Sequence, residues 1–481
     1  MKSRTEAACR TPGKALVAPP PAISCNTLMD RRRKQALEIV ERLRAAGHQA
    51  YWVGGCVRDL VMGREPDDYD VATDAPPERV ADLFPGSLAV GAKFGVVVVP
   101  GAEGPTEVAT FRSDGIYLDG RHPAEVRYAR TPEEDVRRRD FTINGLVYDP
   151  VTEEVLDFVG GQADIRARRV RTIGEPAARF AEDRLRMLRA VRFAARFDFT
   201  LVPATFEAIR EMAPAIREVS AERTRDEILK ILTEGAARRG FELLDRTGLL
   251  EQVLPEVKAL QGVAQPPEFH PEGDVWTHTL MMLEDLRQPT ATLALGALLH
   301  DIGKPPTFVV RERIRFDGHV EVGVKMAADV CRRLKLSSWE TERVLDLVAQ
   351  HMRFKDFRQM RRSTQLKFLA LDGFEEHLEL HRLDCLASHG DLGVYEEARR
   401  MMEETPAEVI RPAPLVNGRD LIELGYQPGP RFKEILDTVR DAQLEGNLKT
   451  REEGLALVRE RFSVLETIHV EPSGGPRIAG D

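Results

Sequence analysis

Cysteine is scarce here: Cys9, Cys25, Cys56, Cys331 and Cys385 are the five in 481 residues, and no two form a CxxC pair. An odd, scattered set excludes a disulfide framework and a thiolate zinc site, and it fits a reducing compartment. Long apolar runs are missing as well. The best candidate, VGAKFGVVVVPGA, carries a lysine and breaks at Pro100, well short of the roughly 18 residues a membrane helix needs. No membrane contact is expected, and a cytoplasmic location is. No GxxxxGK[ST] occurs, so a P-loop site is excluded. Nor is positive charge in excess, because 69 Lys+Arg against 78 Asp+Glu leaves a formal −9. Any nucleic-acid binding has to use a local basic face.

What is present has the balance of a folded, multidomain chain: 42% hydrophobic and 31% charged residues over 481 positions, about three times a usual domain. Residues 1–28 lack the apolar stretch of a secretory signal and read as a frayed, disordered tail. A helix is predicted from Arg31 to Ala46, with Gly47 stopping it. Short β-rich runs follow at Gln49–Val53, Tyr69–Ala72, Leu88–Val90, Val96–Pro100 and Glu107–Phe111. From Pro176 the pattern turns helical, with Leu185, Leu188, Val191 and Ala195 forming one stripe between Phe180 and Phe197. A proline-rich joint at Gln265-Pro266-Pro267 precedes a further helical stretch. The fold class is therefore α+β and multidomain. A small mixed sheet with helices spans 29–175, an all-α neck 176–262, an all-α third unit 263–400, and a helical tail 401–481.

The richest segment is YWVGGCVRDLVMGREPDDYDVATD. Gly54 and Gly55 let backbone N–H groups approach phosphate oxygens at the head of a helix, and Arg58 adds charge. Asp68 and Asp70, two apart on a strand, place like charges on one face, which is costly unless cations sit between them. Two Mg²⁺ ions bridging a nucleoside triphosphate and an attacking hydroxyl would resolve that cost. A solvated acidic turn is the plain alternative, and the glycine turn upstream weighs against it. Glu107, in EVATFR, is a candidate third carboxylate.

These residues, with RRRDFTINGLVYDP, LDFVGGQADI, AEDRLRMLRAVRFAARF and SAERTRDEILKIL following in order, resemble the tRNA nucleotidyltransferase and poly(A) polymerase family, the class that includes bacterial CCA-adding enzymes. The resemblance runs from about Tyr51 to Leu232. It implies a nucleotidyltransferase palm in which Asp68 and Asp70 bind catalytic Mg²⁺ and Glu107 is the third acidic position. It further implies that Arg139, Asp140 and Asn144 meet sugar and phosphates, and that Asp183 and Arg186 act as an amino-acid template for the incoming base. Read as residues, Asp183 and Arg186 lie three apart on one helix face and can present an acceptor and a donor fork together. Arg189, Arg192 and Arg196 continue as a basic stripe able to track RNA phosphates, with a solvated face as the alternative. The partners implied are tRNA or another RNA 3′ end, with ATP and CTP.

The third unit holds His278, His300-Asp301, His319, His351 and Asp384, in a chain with only 11 His. Such a set supplies nitrogen and oxygen ligands for one or two divalent metals. It resembles the HD phosphohydrolase superfamily, with His278, His300, Asp301 and Asp384 matching the four core ligands and His319 and His351 the extra pair of two-metal members. Lys304 is placed to position a phosphate, or is a surface lysine. The alternatives to tRNA end addition are a poly(A) polymerase, or an HD phosphohydrolase with a degenerate nucleotidyltransferase module.

Overall fold

The computed structural model describes residues 31–88, 95–114, 126–268 and 270–462. The expected N-terminal tail, the end of the strand expected at Leu88–Val90 and residues 115–125 lie outside the described residues. The described residues form two compact units: those up to 227 with 242–253, and 228–241 with those from 254 onward. The segment expected as a neck, 176–262, contributes to both.

The first unit opens with helix α1 (Arg31–Ala45), which buries Ala36, Ile39, Val40 and Leu43 at helical spacing. Strands β1 (Ala50–Val53), β2 (Asp70–Thr73), β3 (Val96–Val99), β4 (Thr106–Thr110), β5 (Arg112–Asp114), β6 (Val126–Tyr128), β7 (Leu146–Asp149) and β8 (Glu154–Asp157) follow. Six of them form one sheet in the order β3-β4-β2-β1-β7-β8. It is mixed: β2 and β4 run parallel, and the other neighbours are antiparallel. Val53, Ala72, Phe111, Val136, Val147 and Ile173 form a core beneath it. Helices α2 (Gly55–Val61), α3 (Pro77–Leu83), α4 (Pro132–Arg137) and α5 (Gly161–Arg166) connect and cover the strands.

The helical part continues through α6 (Pro176–Glu182), α7 (Arg186–Arg196), α8 (Pro203–Met212) and α9 (Ala221–Thr233). The expected stripe of Leu185, Leu188, Val191 and Ala195 is buried. One departure from an all-α neck is a small parallel pairing of Thr200–Leu201 with Arg169–Val170. In the second unit, helices Val275–Glu284, Ala291–Leu299, His319–Arg333, Ser338–Gln350 and Phe374–Ala387 pack around a polar centre. Against the all-α expectation, a two-stranded ribbon, Val309–Val310 with Ile314–Arg315, sits among them.

Candidate active site of the head and candidate metal centre

β1 ends at Val53, and the chain turns through Gly54 into α2. Gly54 has φ 77 and ψ −130, a conformation that side chains resist. A Cβ there would also sit 3.2 Å from Arg139 Nη1 and 3.9 Å from Asp70 Oδ2. Glycine is therefore favoured by backbone shape, and a side chain there would also press on the Arg139 guanidinium.

Asp70 is the first residue of β2 and pairs opposite Val53. Asp68 departs from the strand expectation: it lies in the irregular stretch before β2, exposed, with buried Tyr69 between the two carboxylates. Parallel pairing of Val71 with Val108 sets Glu107 beside Asp70 on the neighbouring strand. Burial, then the charges of Asp68 and Glu107, push the Asp70 carboxyl up to about 7 despite Arg139 nearby. Like charges crowded at a half-buried carboxylate mark a place that favours a cation. The same crowding, with burial as the larger cause, pushes the Cys56 thiol up to about 12, so it is an inert buried group rather than a nucleophile.

Arg58, expected to add charge for a phosphate, has its donors engaged within the protein. It is buried, bonded to Asp59 through Nε at 2.9 Å and to Asn144 Oδ1 through Nη1 at 2.8 Å. Asn144 Nδ2 donates to Asp140 Oδ1 at 3.1 Å, and Arg189 Nε donates to Asp140 Oδ2 at 2.8 Å. Burial would raise Asp140, but Arg189 and Asn144 outweigh it and hold the carboxyl below its ordinary range. Asp140 is thus already filled by protein donors, including the Phe141 N–H at 2.7 Å. Arg139 is held by Asp135 Oδ2 at 2.9 Å.

Two expectations about the helical part need correction. Asp183 and Arg186 do not share a helix face, because α6 ends at Glu182 and Asp183 is extended, with φ −148 and ψ 105. Asp183 Oδ1 accepts the Leu185 N–H at 3.1 Å, and both its oxygens accept from Arg223. Arg186, at the start of α7, pairs with Glu182 at 2.5 Å and donates to the Arg179 and Arg138 carbonyls. The arginine stripe is likewise not a solvent face. Arg192 is buried against Glu227 at 2.7 Å, Arg189 holds Asp140, and half-buried Arg196 covers the Phe197 ring. Nothing local in the sequence ties Arg223 or Glu227 to its partner; Glu182, by contrast, lies four residues before Arg186, an ordinary helical pairing distance.

In the second unit the six expected ligands do converge. His300 Nε2 lies 3.1 Å from Asp301 Oδ2, His319 and His351 Nε2 each 3.8 Å from Asp301 Oδ1, and the two Nε2 atoms 3.4 Å apart. His278 Nε2 is 3.2 Å from Asp384 Oδ1. Three imidazoles set Nδ1 against backbone carbonyls of Ala297, Phe316 and Val348, which turns their Nε2 lone pairs inward. Burial drives His351 down to about 4, while the carboxylates of Asp384 and Glu272 outweigh burial and push His278 up to about 9. The HDIGK turn is tight: a Cβ on Gly303 would lie 2.0 Å from the His319 carbonyl oxygen. Lys304 is buried rather than on the surface, 2.6 Å from Asp301 Oδ2 and donating to Gln265 Oε1 at 2.7 Å.

Buried His278 Nε2, His300 Nε2 and Asp301 Oδ2 make no well-directed hydrogen bond, although Asp384 Oδ1, Asp301 Oδ2 and Lys304 Nζ lie within 3.2 Å of them; close polar atoms without hydrogen-bond geometry are uncommon in a protein interior. His278, His300 and Asp301 form one group with donor atoms all within 4.8 Å of one another, and Asp301, His319 and His351 a second. Nitrogen and carboxylate donors gathered this closely fit a divalent metal. Among the described residues such three-ligand groups occur only in this unit; the head carboxylates are spread more widely.

Fold and site define a polymerase-type palm joined to a helical unit with an HD-type ligand set. Residues 50–171 match the Poly A polymerase head domain, 198–261 the probable RNA and SrmB- binding site of polymerase A, and 274–387 the HD domain. The CCA-adding enzyme of Bacillus pumilus is 31% identical over 423 residues, covering 87% of this chain and 95% of that one. The chain belongs to the family of bacterial CCA-adding enzymes. The CCA-adding enzyme of Geobacillus stearothermophilus is 45% identical over 216 residues, a match that spans about half its length, 53%, and 45% of this chain. Among solved structures, the Bacillus stearothermophilus CCA-adding enzyme in complex with CTP has a TM-score of 0.67 at 31% identity, covering 90% of this chain and 98% of that one. The Thermotoga maritima enzyme complexed with tRNA shares the fold, with a TM-score of 0.56 at 19% identity over 90% of this chain and 96% of that one. No helix among the described residues is long and apolar enough to cross a membrane.

Proposed function

We propose that the chain is a template-independent nucleotidyltransferase that adds CMP and AMP to the 3′ end of tRNA, using CTP and ATP. The observation that carries this is Asp70, half-buried at the Gly54 turn and crowded by Asp68 and Glu107. Family membership points the same way, as does the CTP held by the Bacillus stearothermophilus relative.

In this reading the backbone at Gly54 and Gly55 receives the triphosphate at the start of α2, and Arg139, beside Gly54, faces it. Two Mg²⁺ ions held by Asp68 and Asp70 would offset charge on the triphosphate and lower the pKa of the attacking 3′-hydroxyl. Asp140 and Asn144, fixed by Arg58 and Arg189, form the ribose-facing wall. A 2′-hydroxyl entering there has to displace one of the protein donors now on Asp140, so the wall selects ribose by exchange of hydrogen bonds. Arg192 takes a structural role with Glu227 in this scheme, and Arg189 a positioning one. Asp183 and Arg186 read the base after leaving Arg223 and Glu182.

The HD-type unit is proposed to hydrolyse phosphate esters, with His278, His300, Asp301 and Asp384 holding one divalent ion and His319 and His351 extending the set for a second. An ion there would activate water at neutral pH, and Lys304 supplies a fixed positive charge for a phosphate oxygen.

The test supplies purified protein with tRNA lacking its 3′ end and each labelled nucleoside triphosphate. Incorporation of CMP followed by AMP supports the assignment. Hydrolysis of a model diester such as bis(p-nitrophenyl) phosphate, with no incorporation of any nucleotide, would instead favour a hydrolase with a degenerate head.

A further inference from the structure

A few residues beyond the proline-rich joint at Gln265-Pro266-Pro267, His270 and Glu272 lie at the histidine centre. Glu272 Oε1 lies 2.9 Å from His278 Nδ1 and 2.9 Å from His270 Nδ1. The Glu272 side chain is only 5% exposed, that of His278 0%, and Glu272 Oε2 is buried without a partner. His300, His319 and His351 each meet a backbone carbonyl through Nδ1. His278 differs: its Nδ1 meets a carboxylate that comes from outside its own helix, Val275–Glu284.

We propose that Glu272 is a positioning residue of the hydrolytic centre, which fixes His278 with its proton on Nδ1 so that Nε2 is the metal donor facing Asp384 and His300. The inference rests on the HD reading above. A carboxylate accepting Nδ1–H orients the ring more firmly than a carbonyl does, and it makes Nε2 a stronger donor. His270 shares the same oxygen from the more exposed side, with 19% of its side chain accessible. Glu272 is thereby held between two rings and kept from turning toward the ions itself.

The same three residues also have donor atoms within 4.8 Å of one another, so a separate ion between His270, Glu272 and His278 is the competing arrangement. The two exclude one another, because His278 Nδ1 cannot both carry a proton to Glu272 and bind an ion. Metal stoichiometry separates the two.

The experiment uses full-length protein carrying Asp68→Asn and Asp70→Asn, so that the head contributes no ion. Metal-free protein is titrated with Mn²⁺ and followed by electron paramagnetic resonance, with circular dichroism confirming the fold. Glu272→Ala should weaken Mn²⁺ binding roughly 10–100-fold at unchanged stoichiometry, and Glu272→Asp should recover most of the loss. Glu272→Gln, which keeps the shape and an acceptor without the charge, should fall between them, and it carries the test where the alanine variant does not fold. His270→Ala should change affinity by less than about threefold. Unchanged affinity in Glu272→Ala overturns the proposal. A lower ion count in both Glu272→Ala and His270→Ala also overturns it, in favour of a separate metal site. Failure of the parent protein to bind Mn²⁺ sinks this inference together with the HD metal reading. Binding without hydrolysis of bis(p-nitrophenyl) phosphate removes the proposed hydrolysis and leaves Glu272 to be judged by affinity.

Discussion

Arg192 Nε donates to Glu227 Oε2 at 2.7 Å, with only 7% and 4% of the two side chains exposed. This pair turns part of an expected RNA-facing stripe into an internal tie between α7 and α9. Removing one member of a buried pair strands the other charge, at a cost of about 3–5 kcal/mol. Glu227→Ala should therefore lower the urea midpoint of the first unit. Glu227→Ala combined with Arg192→Met should recover much of the loss. The salt dependence of RNA binding should be unchanged in Arg192→Met, because a buried guanidinium releases no counterions. A shallower salt slope in that variant would return Arg192 to the RNA surface.

The two proposed chemistries rest on residues in different compact units. Asp70→Asn should abolish nucleotide incorporation and keep diester hydrolysis, and Asp301→Ala should do the reverse. Measuring both activities on the same preparations decides it. Loss of both from either substitution would show that the centres are not separable.

Much of this was legible because the signals are local. The Gly54 turn and the Asp70 strand are each written in a few adjacent residues, and the histidine set, although spread from His278 to Asp384, is marked by the His300-Asp301 doublet in a chain poor in histidine. The α6–α7 break was missed because FAEDRLRML consists of residues that tolerate helix. Asp183 itself was the available signal, since Asp favours capping the N–H two or three positions on, and here it accepts from Leu185. The Arg192–Glu227 and Asp183–Arg223 pairs, 35 and 40 residues apart in sequence, are products of packing that no local pattern encodes. Glu272 carries a weaker signal: the prolines before it read as a joint, and only its place two residues after His270 and six before His278 ties it to the histidine set.

Asp135 ties the arginines of the RRRD stretch, meeting Arg138 at 2.7 Å and Arg139 at 2.9 Å. Burial would raise its carboxyl, but Arg139 and then Arg138 outweigh this and hold it below the ordinary value. A carboxyl depressed in the folded state adds stability above its unfolded pKa of about 3.9 and loses it as pH falls toward the folded value. Asp135→Asn should then destabilise the protein by about 3 kcal/mol at pH 7, with the difference from wild type shrinking below about pH 4. Urea unfolding at pH 7, 5 and 3 measures this, and a constant gap across that range would contradict it.

Base choice is the next test of the site. Arg186 is buried and held by Glu182 and two carbonyls, so truncation costs stability as well as selectivity. Arg186→Lys keeps charge and bulk but loses the planar donor fork. It should blur CTP and ATP against UTP and GTP, by about 1–3 kcal/mol for each hydrogen-bonding group left unpaired. Single-nucleotide incorporation with all four triphosphates, on protein shown to be folded, is the measurement. Undiminished selectivity would reject Arg186 as part of the template.

The choice of primer carries the most weight, because the palm residues alone serve tRNA end addition and poly(A) synthesis equally well. Folded RNA is gripped through shape and backbone rather than through sequence, so an enzyme of finite addition should extend tRNA and stop. The geometry sharpens the expectation. With Arg189 and Arg192 engaged inside the protein, no continuous arginine track along α7 is left for an unstructured strand to slide on. Transcripts ending at the discriminator base and an oligo(A) of equal length should be offered together, with CTP and ATP, and the products sized on a gel. The expected result is a short, discrete extension of the tRNA with little use of oligo(A). Long ladders on oligo(A), with no preference for tRNA, would move the assignment to a poly(A) polymerase.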